Sequence, residues 1–431
     1  VDDKMRDKLI ATYKKECRSC GNQNMERCIS LGDSPIANNL CDSPDDEFKA
    51  FPLEVDYCPE CHNCQLSVVV PPEEMFDNYL YLASTSSDFV RHFEEASESY
   101  TEQFGLNEDS LVVDIGSNDG VGLKPFKNRG INILGIDPAK NIAEMAETDG
   151  VPTHVDYFEN CDTSAIVEEY GHADLVTASN VFAHSDNLHK IAENSFKILK
   201  DDGAFVVEVQ YLLSTLMDLT FDNIYHEHTN YWSVTSLDNF FSSIGLRVYK
   251  VEFIDTHGGS IRVYTKRKRY AIMDDSVREF LKREKDFGLL DLSTYKEFSN
   301  RVNGMKENVR NNLNILKEKY DKIVGYAAPA KATTALNFFG VNSDDIDYII
   351  EDNPLKSDKF VPGVDIPIKD KSESLKDPPD AIIVMAWNFF DYIKDNNQDL
   401  VEAGCEFISL DDLMGRRTEK ENIDANSGAM V

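Results

Sequence analysis

"LVVDIGSNDG", residues 111 to 120, joins a short aliphatic run to a turn bounded by Gly116 and Gly120. The run has the character of a strand buried on both faces. The glycines let the backbone bend sharply and let a ligand approach it closely. Working outward, "INILGID" (131–137), "THVDYF" (153–158), "ADLVTASN" (173–180) and "GAFVVEVQ" (203–210) repeat the strand character, with helical segments between most of them. Such alternation predicts an α/β domain built on a parallel sheet covered by helices on both faces. "LRVYKVEFID" and "GSIRVYTK" follow with no helix between them, which predicts an antiparallel hairpin at the sheet edge.

The same turn indicates what such a domain would bind. The second strand ends in Asp137, followed by Pro138, and Asp137 lies 23 positions after Asp114. A carboxylate there can accept hydrogen bonds from both ribose hydroxyls of an adenosine. No GxGxxG is present, and Ser117, Asn118 and Asp119 put bulky polar groups where a dinucleotide's pyrophosphate would need room. Adenosine joined to a sulfonium fits better, so the expected cofactor is S-adenosylmethionine (SAM) rather than a nicotinamide. Ser179 and Asn180 close the fourth strand at the carboxyl edge where open α/β sheets bind ligands. "ILKDDGAFVVEV" is the turn and strand that usually follow in class I methyltransferases. The cofactor-binding residues expected are Asp114, Gly116, Ser117, Asn118, Asp119, Gly120, Asp137, Pro138, Ser179 and Asn180.

Upstream, Cys17-x-x-Cys20 and Cys58-x-x-Cys61 carry zinc spacing: each tight turn offers two thiolates, and two turns close a tetrahedral, structural site. Cys64 follows Cys61 at the same interval and offers a competing register. Phe89, Val90, Phe93 and Ala96 recur at helical spacing and predict a linker helix. Downstream, residues 274–320 read as long connecting helices with Val302, Met305, Val309, Leu313 and Leu316 on one face. "KIVGYA", "IDYIIED", "AIIVMAW" and "CEFISL" then predict a second, smaller Rossmann-like domain. The expected organisation is a zinc module over 1–75, a SAM domain over 76–270, connecting helices over 271–320, a C-terminal Rossmann-like domain over 321–415 and a disordered tail over 416–431.

Composition narrows the partners. Among 431 residues, 44 Lys and Arg face 77 Asp and Glu, a formal charge of −33 that repels polyanions and anionic membranes. Nucleic acid is therefore not an expected partner. A small anion is still allowed where a few cations converge, because distant charges are screened over about 8 Å. No apolar run reaches the roughly 20 residues a membrane helix needs, and the charged start does not resemble a signal peptide. A cytoplasmic location is expected, where nine cysteines are reduced, buried or metal-bound rather than paired. Composition leaves the oligomeric state open.

"NIYHEHTNYW" (223–232) concentrates histidines, a glutamate and aromatics as no packing rule requires. With "CRSCG", "FPLEVDYCPEC", "YLYLASTSS", "DIGSNDG", "NVFAHSDNL", "HGGSIRVY" and "GYAAPAKATT" it makes the chain resemble, over nearly its whole length, sugar C-methyltransferases that methylate carbon 3 of TDP-4-keto-deoxysugars. The resemblance implies a zinc module, a SAM domain and a C-terminal domain closing over a nucleotide-diphosphate sugar. The family's CxxC, then Gln-Leu after three residues, aligns with Cys58, Cys61 and Gln65-Leu66, which selects Cys17, Cys20, Cys58 and Cys61 over Cys64. The chain departs from the family in the Ala and Pro of "GYAAPAKATT" and in Gln210, where proline is frequent.

A carbon nucleophile requires loss of a proton beside a ketone, hence a base and a donor for the enolate oxygen. The resemblance assigns His228 as that base, Glu227 as the group orienting or polarising it, and Tyr225 as a contact to the sugar or its enolate. His226 is expected to be structural. His184 and Tyr79, with Tyr81 as the alternative, are further catalytic candidates. His257, Gly258, Gly259, Ser260, Arg262 and Lys331 are expected along the sugar diphosphate. Two competing readings remain: an O- or N-methyltransferase acting on a related nucleotide-sugar, polyketide or saccharide, and a zinc-bearing scaffold with a retired SAM fold.

Overall fold

The computed structural model describes residues 11–76, 82–85, 87–256 and 258–416. The expected disordered segment 417–431 lies outside them. Arg416, placed at its head by the sequence reading, is buried and ion-paired with Asp222 and Asp411.

Strands β1 (Glu26–Pro35), β2 (Ala50–Tyr57) and β3 (Cys64–Leu66) form an antiparallel meander. Helix α1 (Ser87–Phe104) leads into the central sheet, with Ala96 and Tyr100 buried against it. That sheet contains β4 (Leu111–Ile115), β5 (Asn132–Ile136), β6 (Thr153–His154), β7 (Ala173–Ser179) and β8 (Leu199–Gln210), all parallel. Every residue of β4 is buried, as its aliphatic run predicts. The two-residue strand β9 (Asn230–Tyr231) leaves this domain and pairs with β3, so the zinc module's sheet has the order β9-β3-β2-β1. Strands β10 (Leu246–Ile254) and β11 (Ser260–Arg267) form the expected antiparallel edge, giving the central order β10-β11-β8-β7-β4-β5-β6.

The connecting segment is two helices, α2 (Asp275–Phe287) and α3 (Leu292–Lys319). Val302, Met305, Val309 and Leu313 of α3 lie in the core, while Leu316 is partly buried against it. The C-terminal sheet holds β12 (Ile323–Tyr326), β13 (Ile349–Ile350), β14 (Phe360–Val361), β15 (Ile366–Lys369), β16 (Ala381–Val384) and β17 (Glu406–Ser409), in the order β14-β15-β13-β12-β16-β17. The antiparallel β14–β15 pair was absent from the sequence reading, because these short strands carry no alternation that sets them apart from loop. Helix α4 (Ala330–Phe339) follows β12 and ends at Gly340 in the left-handed conformation that suits a helix C-cap. No described helix is long and apolar enough to cross a membrane.

Candidate active site and zinc centre

Two turns of the same build carry the four cysteines. In each, the first Cys accepts from the amide four residues on, Gly21 to Cys17 and His62 to Cys58, and donates to the carbonyl one residue further, Asn22 or Asn63. The residue after each second Cys is left-handed, Gly21 at φ 75° and His62 at φ 59°. The four Sγ atoms lie within 4.8 Å of one another, with Cys17–Cys61 at 3.5 Å and Cys20–Cys58 at 3.6 Å. A zinc ion with Zn–S of about 2.3 Å requires sulfur separations of about 3.8 Å, so the set fits Zn2+. Asn22 Nδ2 donates to Cys58 Sγ and Asn63 Nδ2 to Cys17 Sγ, the outer bonds expected around thiolate ligands. Cys64 sits apart on β3, buried and opposite Tyr57.

A cavity of about 930 Å3 opens where zinc module, central domain and C-terminal domain meet, a size suited to small-molecule ligands. On its central-domain wall are Asp114, Gly116, Ser117, Asn118, Asp137, Pro138, Ser179 and Asn180. Gly116 has φ +66°, and a Cβ there would stand 2.3 Å from Val181 Cγ2. Asp137 accepts from the Asn118 and Ala139 amides, one to each carboxylate oxygen. Each oxygen thus keeps a lone pair for a diol. Burial pushes the Asp114 carboxyl up to about 7, although the Thr177 hydroxyl donates to it at 2.6 Å. Their contact follows from register, since Asp114 and Thr177 are neighbours across β4 and β7. Asp119 and Gly120, also expected here, do not line the cavity: Asp119 accepts from the Ser84 amide, and Gly120 packs against Val151.

Above this wall the Tyr225–His228 turn presents Tyr225, Glu227 and His228 to the cavity. The His228 amide donates to the Tyr225 carbonyl at 2.9 Å, closing a single turn that brings the two side chains together. The Asn223 carbonyl lies 2.8 Å from His228 Nδ1 and can only accept, so Nδ1 carries a proton. In the neutral ring Nε2 then has its lone pair free to accept from the Tyr225 hydroxyl, 2.8 Å away. His184 lines the cavity as well and stacks on His228 with ring centroids 5.1 Å apart; burial pushes its pKa down to about 4. Glu227 Oε1 accepts from Asn38 of the zinc module at 2.6 Å, and the Asn223 backbone carbonyl supplies an orienting bond to His228 Nδ1. His226 points the other way and packs edge-on against Phe51 of β2 at 6.0 Å.

The C-terminal wall carries Lys331 and Lys356. Lys331 stands near the start of α4 with its ammonium buried 5.1 Å over the Trp387 ring, and burial lowers its pKa to about 8. Lys356 donates to the Ala328 carbonyl, and burial depresses it also.

Among its described residues, the hairpin expected along the sugar diphosphate is not brought to the cavity. Gly258, Gly259, Ser260 and Arg262 are absent from its walls. Arg262 is the cross-strand partner of Glu208 and donates to it through Nε and one Nη, so its charge is already satisfied. A Cβ on Gly258 would meet Trp387 at 3.0 Å, and one on Gly259 would meet Ser214 at 2.6 Å, so these glycines admit protein neighbours. Tyr79, its alternative Tyr81, and His257 lie outside the described residues. Asn38 and Lys356 went unrecognised in the sequence; "PIANNL" and "EDNPLKSD" carry no spacing that announces chemistry.

Comparison with known families matches three models in succession: a zinc binding domain over residues 17–76, a methyltransferase domain over 89–251 and a C-methyltransferase C-terminal domain over 255–410. The C-methyltransferase NovU of Streptomyces niveus is 34% identical over 399 residues, 91% of this chain and 94% of that protein. Similar solved structures include magnesium protoporphyrin IX methyltransferase from Synechocystis PCC 6803 with bound SAH, at 12% identity, 42% of this chain, 83% of that one and a TM-score of 0.34. A protein from Pyrococcus horikoshii OT3 matches at 13% identity, 46% of this chain, 98% of that one and a TM-score of 0.36.

Proposed function

The chain belongs to the C-methyltransferase family that includes NovU and is a SAM-dependent enzyme with a zinc-binding domain, and from that premise we propose that it methylates carbon 3 of a TDP-linked 4-keto-deoxysugar through an enolate. Membership sets aside the O- or N-methyltransferase and the retired scaffold. One observation supports the enolate route above the others: His228 holds its proton on Nδ1, so Nε2 is the basic atom, and it shares the cavity with the Tyr225 hydroxyl.

In this reading the Tyr225 hydroxyl turns from Nε2 to the ketone oxygen, which frees the Nε2 lone pair. Nε2 then takes the proton from carbon 3, and the electron pair of the broken C–H bond moves into an enolate whose oxygen Tyr225 holds by hydrogen bond. The imidazolium charge that forms is stabilised through Nδ1–H by the Asn223 carbonyl. His184, neutral because of its burial, packs against His228 without adding a competing charge. SAM would be held by Asp114, the Gly116–Asn118 turn and Asp137 and would supply an electrophilic methyl group, the sulfur–methyl bond breaking as the carbon–carbon bond forms and SAH departing as a neutral thioether. Lys331 and Lys356 are the cations suited to the sugar's diphosphate. The test is a screen of 4-keto nucleotide-sugars with SAM, read by mass spectrometry and NMR. The expected product gains one methyl on carbon 3; a methyl on oxygen, or turnover only with substrates lacking a ketone, contradicts the reading.

A further inference from the structure

Asp222 lies on the single-turn helix Phe221–Asn223 just ahead of the Tyr225–His228 turn and is completely buried. A buried carboxylate requires donors, and those of Asp222 come from the C-terminal domain. Trp387 Nε1 donates to one carboxylate oxygen at 2.6 Å and an Arg416 Nη to the other at 3.2 Å. Arg416 is itself fixed: it donates to the Leu219 carbonyl, pairs with Asp411, and lies 4.4 Å over the Trp387 ring. The indole is seated by Gly258, whose missing Cβ leaves room for it.

The residue after Asp222 is Asn223, whose carbonyl holds His228 Nδ1–H. Asn223 is tied on its other side, with its amide donating to the Thr220 carbonyl and its Nδ2 to the Thr220 hydroxyl. The peptide that fixes the imidazole is therefore anchored from within the central domain at Thr220 and from the C-terminal domain at Asp222.

We propose that Asp222 is a positioning residue, and that Trp387 and Arg416 make the orientation of His228 depend on the C-terminal domain being docked. The base would be correctly aimed only when the domain carrying Lys331 and Lys356 is seated over the cavity. Proton abstraction is thereby coupled to closure of the nucleotide-binding wall. The kinetic consequence rests on His228 being the base; the structural coupling does not.

The test uses full-length Asp222→Asn and Trp387→Phe. The first keeps size and removes charge; the second keeps the ring and removes the N–H. In protein labelled with 15N-histidine, two-bond 1H–15N spectra should show a single Nδ1–H tautomer for His228 in the parent and a mixture in both variants. The value of kcat should fall between roughly tenfold and a hundredfold, the scale of a misplaced catalytic group, with the Kd for SAM within about twofold of the parent. An unchanged His228 tautomer in both variants overturns the proposal whatever the kinetics. Loss of kcat and SAM affinity together with an unchanged tautomer also overturns it, by showing that the cluster only holds the domains together. If His228→Asn keeps full turnover, the base assignment fails, while the tautomer measurement still decides the coupling.

Discussion

At the scale of the residue, two side chains carry sharp predictions. Replacing His228 with Asn or Ala should reduce turnover by roughly a hundredfold or more, the range expected for removal of a general base, while SAM binding measured by calorimetry stays near the parent value. Asp114 predicts a pH dependence. Its folded pKa is raised by burial from 3.8 to about 7. Its contribution to stability is therefore fully present below 3.8 and is lost as pH rises through 7, because the charged form is the one burial penalises. In the proposed site a cationic SAM beside Asp114 would prefer the carboxylate, so SAM affinity should weaken as pH falls below 7, by up to about tenfold per unit. Asp114→Asn should flatten this curve in titrations from pH 5.5 to 8.5. Positions close together in sequence were legible as neighbours: Tyr225, Glu227 and His228 line the cavity, as do Gly116 to Asn118. The placement of Arg262 was not legible, because the Glu208–Arg262 pairing is set by hairpin register, which no local pattern displays.

Among elements, the short strand β9 explains why a zinc module belongs to this enzyme. It follows the Tyr225–His228 turn after Thr229 and pairs with β3, which begins three residues after the zinc-turn residue Cys61. The Leu66 amide donates to the Thr229 carbonyl at 2.9 Å. Arg18, between the first two cysteines, adds bonds to the Leu66 and Thr229 carbonyls and to Asp186. The zinc turns thus brace the Tyr225–His228 turn. Cys58→Ser should lose bound zinc, measured by elemental analysis, and with it a binding energy on the order of 10 kcal/mol that small zinc modules use to fold. Turnover should fall at temperatures below the unfolding transition, since β9 loses its partner. Full activity without metal would contradict this bracing. The cysteine spacing was legible because tetrahedral coordination dictates it. Recruitment of β9 was not, since two residues carry no periodicity.

Across the whole molecule, the cavity exists only because three regions converge, and the C-terminal region supplies its cations. Lys331, lowered to about 8 by burial, is partly deprotonated at pH 8 to 9. A bound diphosphate would raise it again, so substrate binding in that range should take up a proton. Calorimetry in two buffers of different ionisation enthalpy measures that uptake, and Lys331→Ala should abolish it and raise KM for the nucleotide-sugar with little change for SAM. Outside the short β9, β14 and β15, the order of the main strands was readable along the chain because aliphatic runs and turns are local. The latch at Asp222, Trp387 and Arg416 was not, since its members are separated by 165 and 194 positions in sequence. The central claim is that His228 removes the proton from carbon 3, and it is tested most directly by incubating enzyme with a TDP-4-keto-deoxysugar in D2O without SAM and following carbon 3 by NMR. The account predicts that the parent enzyme exchanges that hydrogen for deuterium and that His228→Asn does not; equal exchange rates in the two proteins would contradict it.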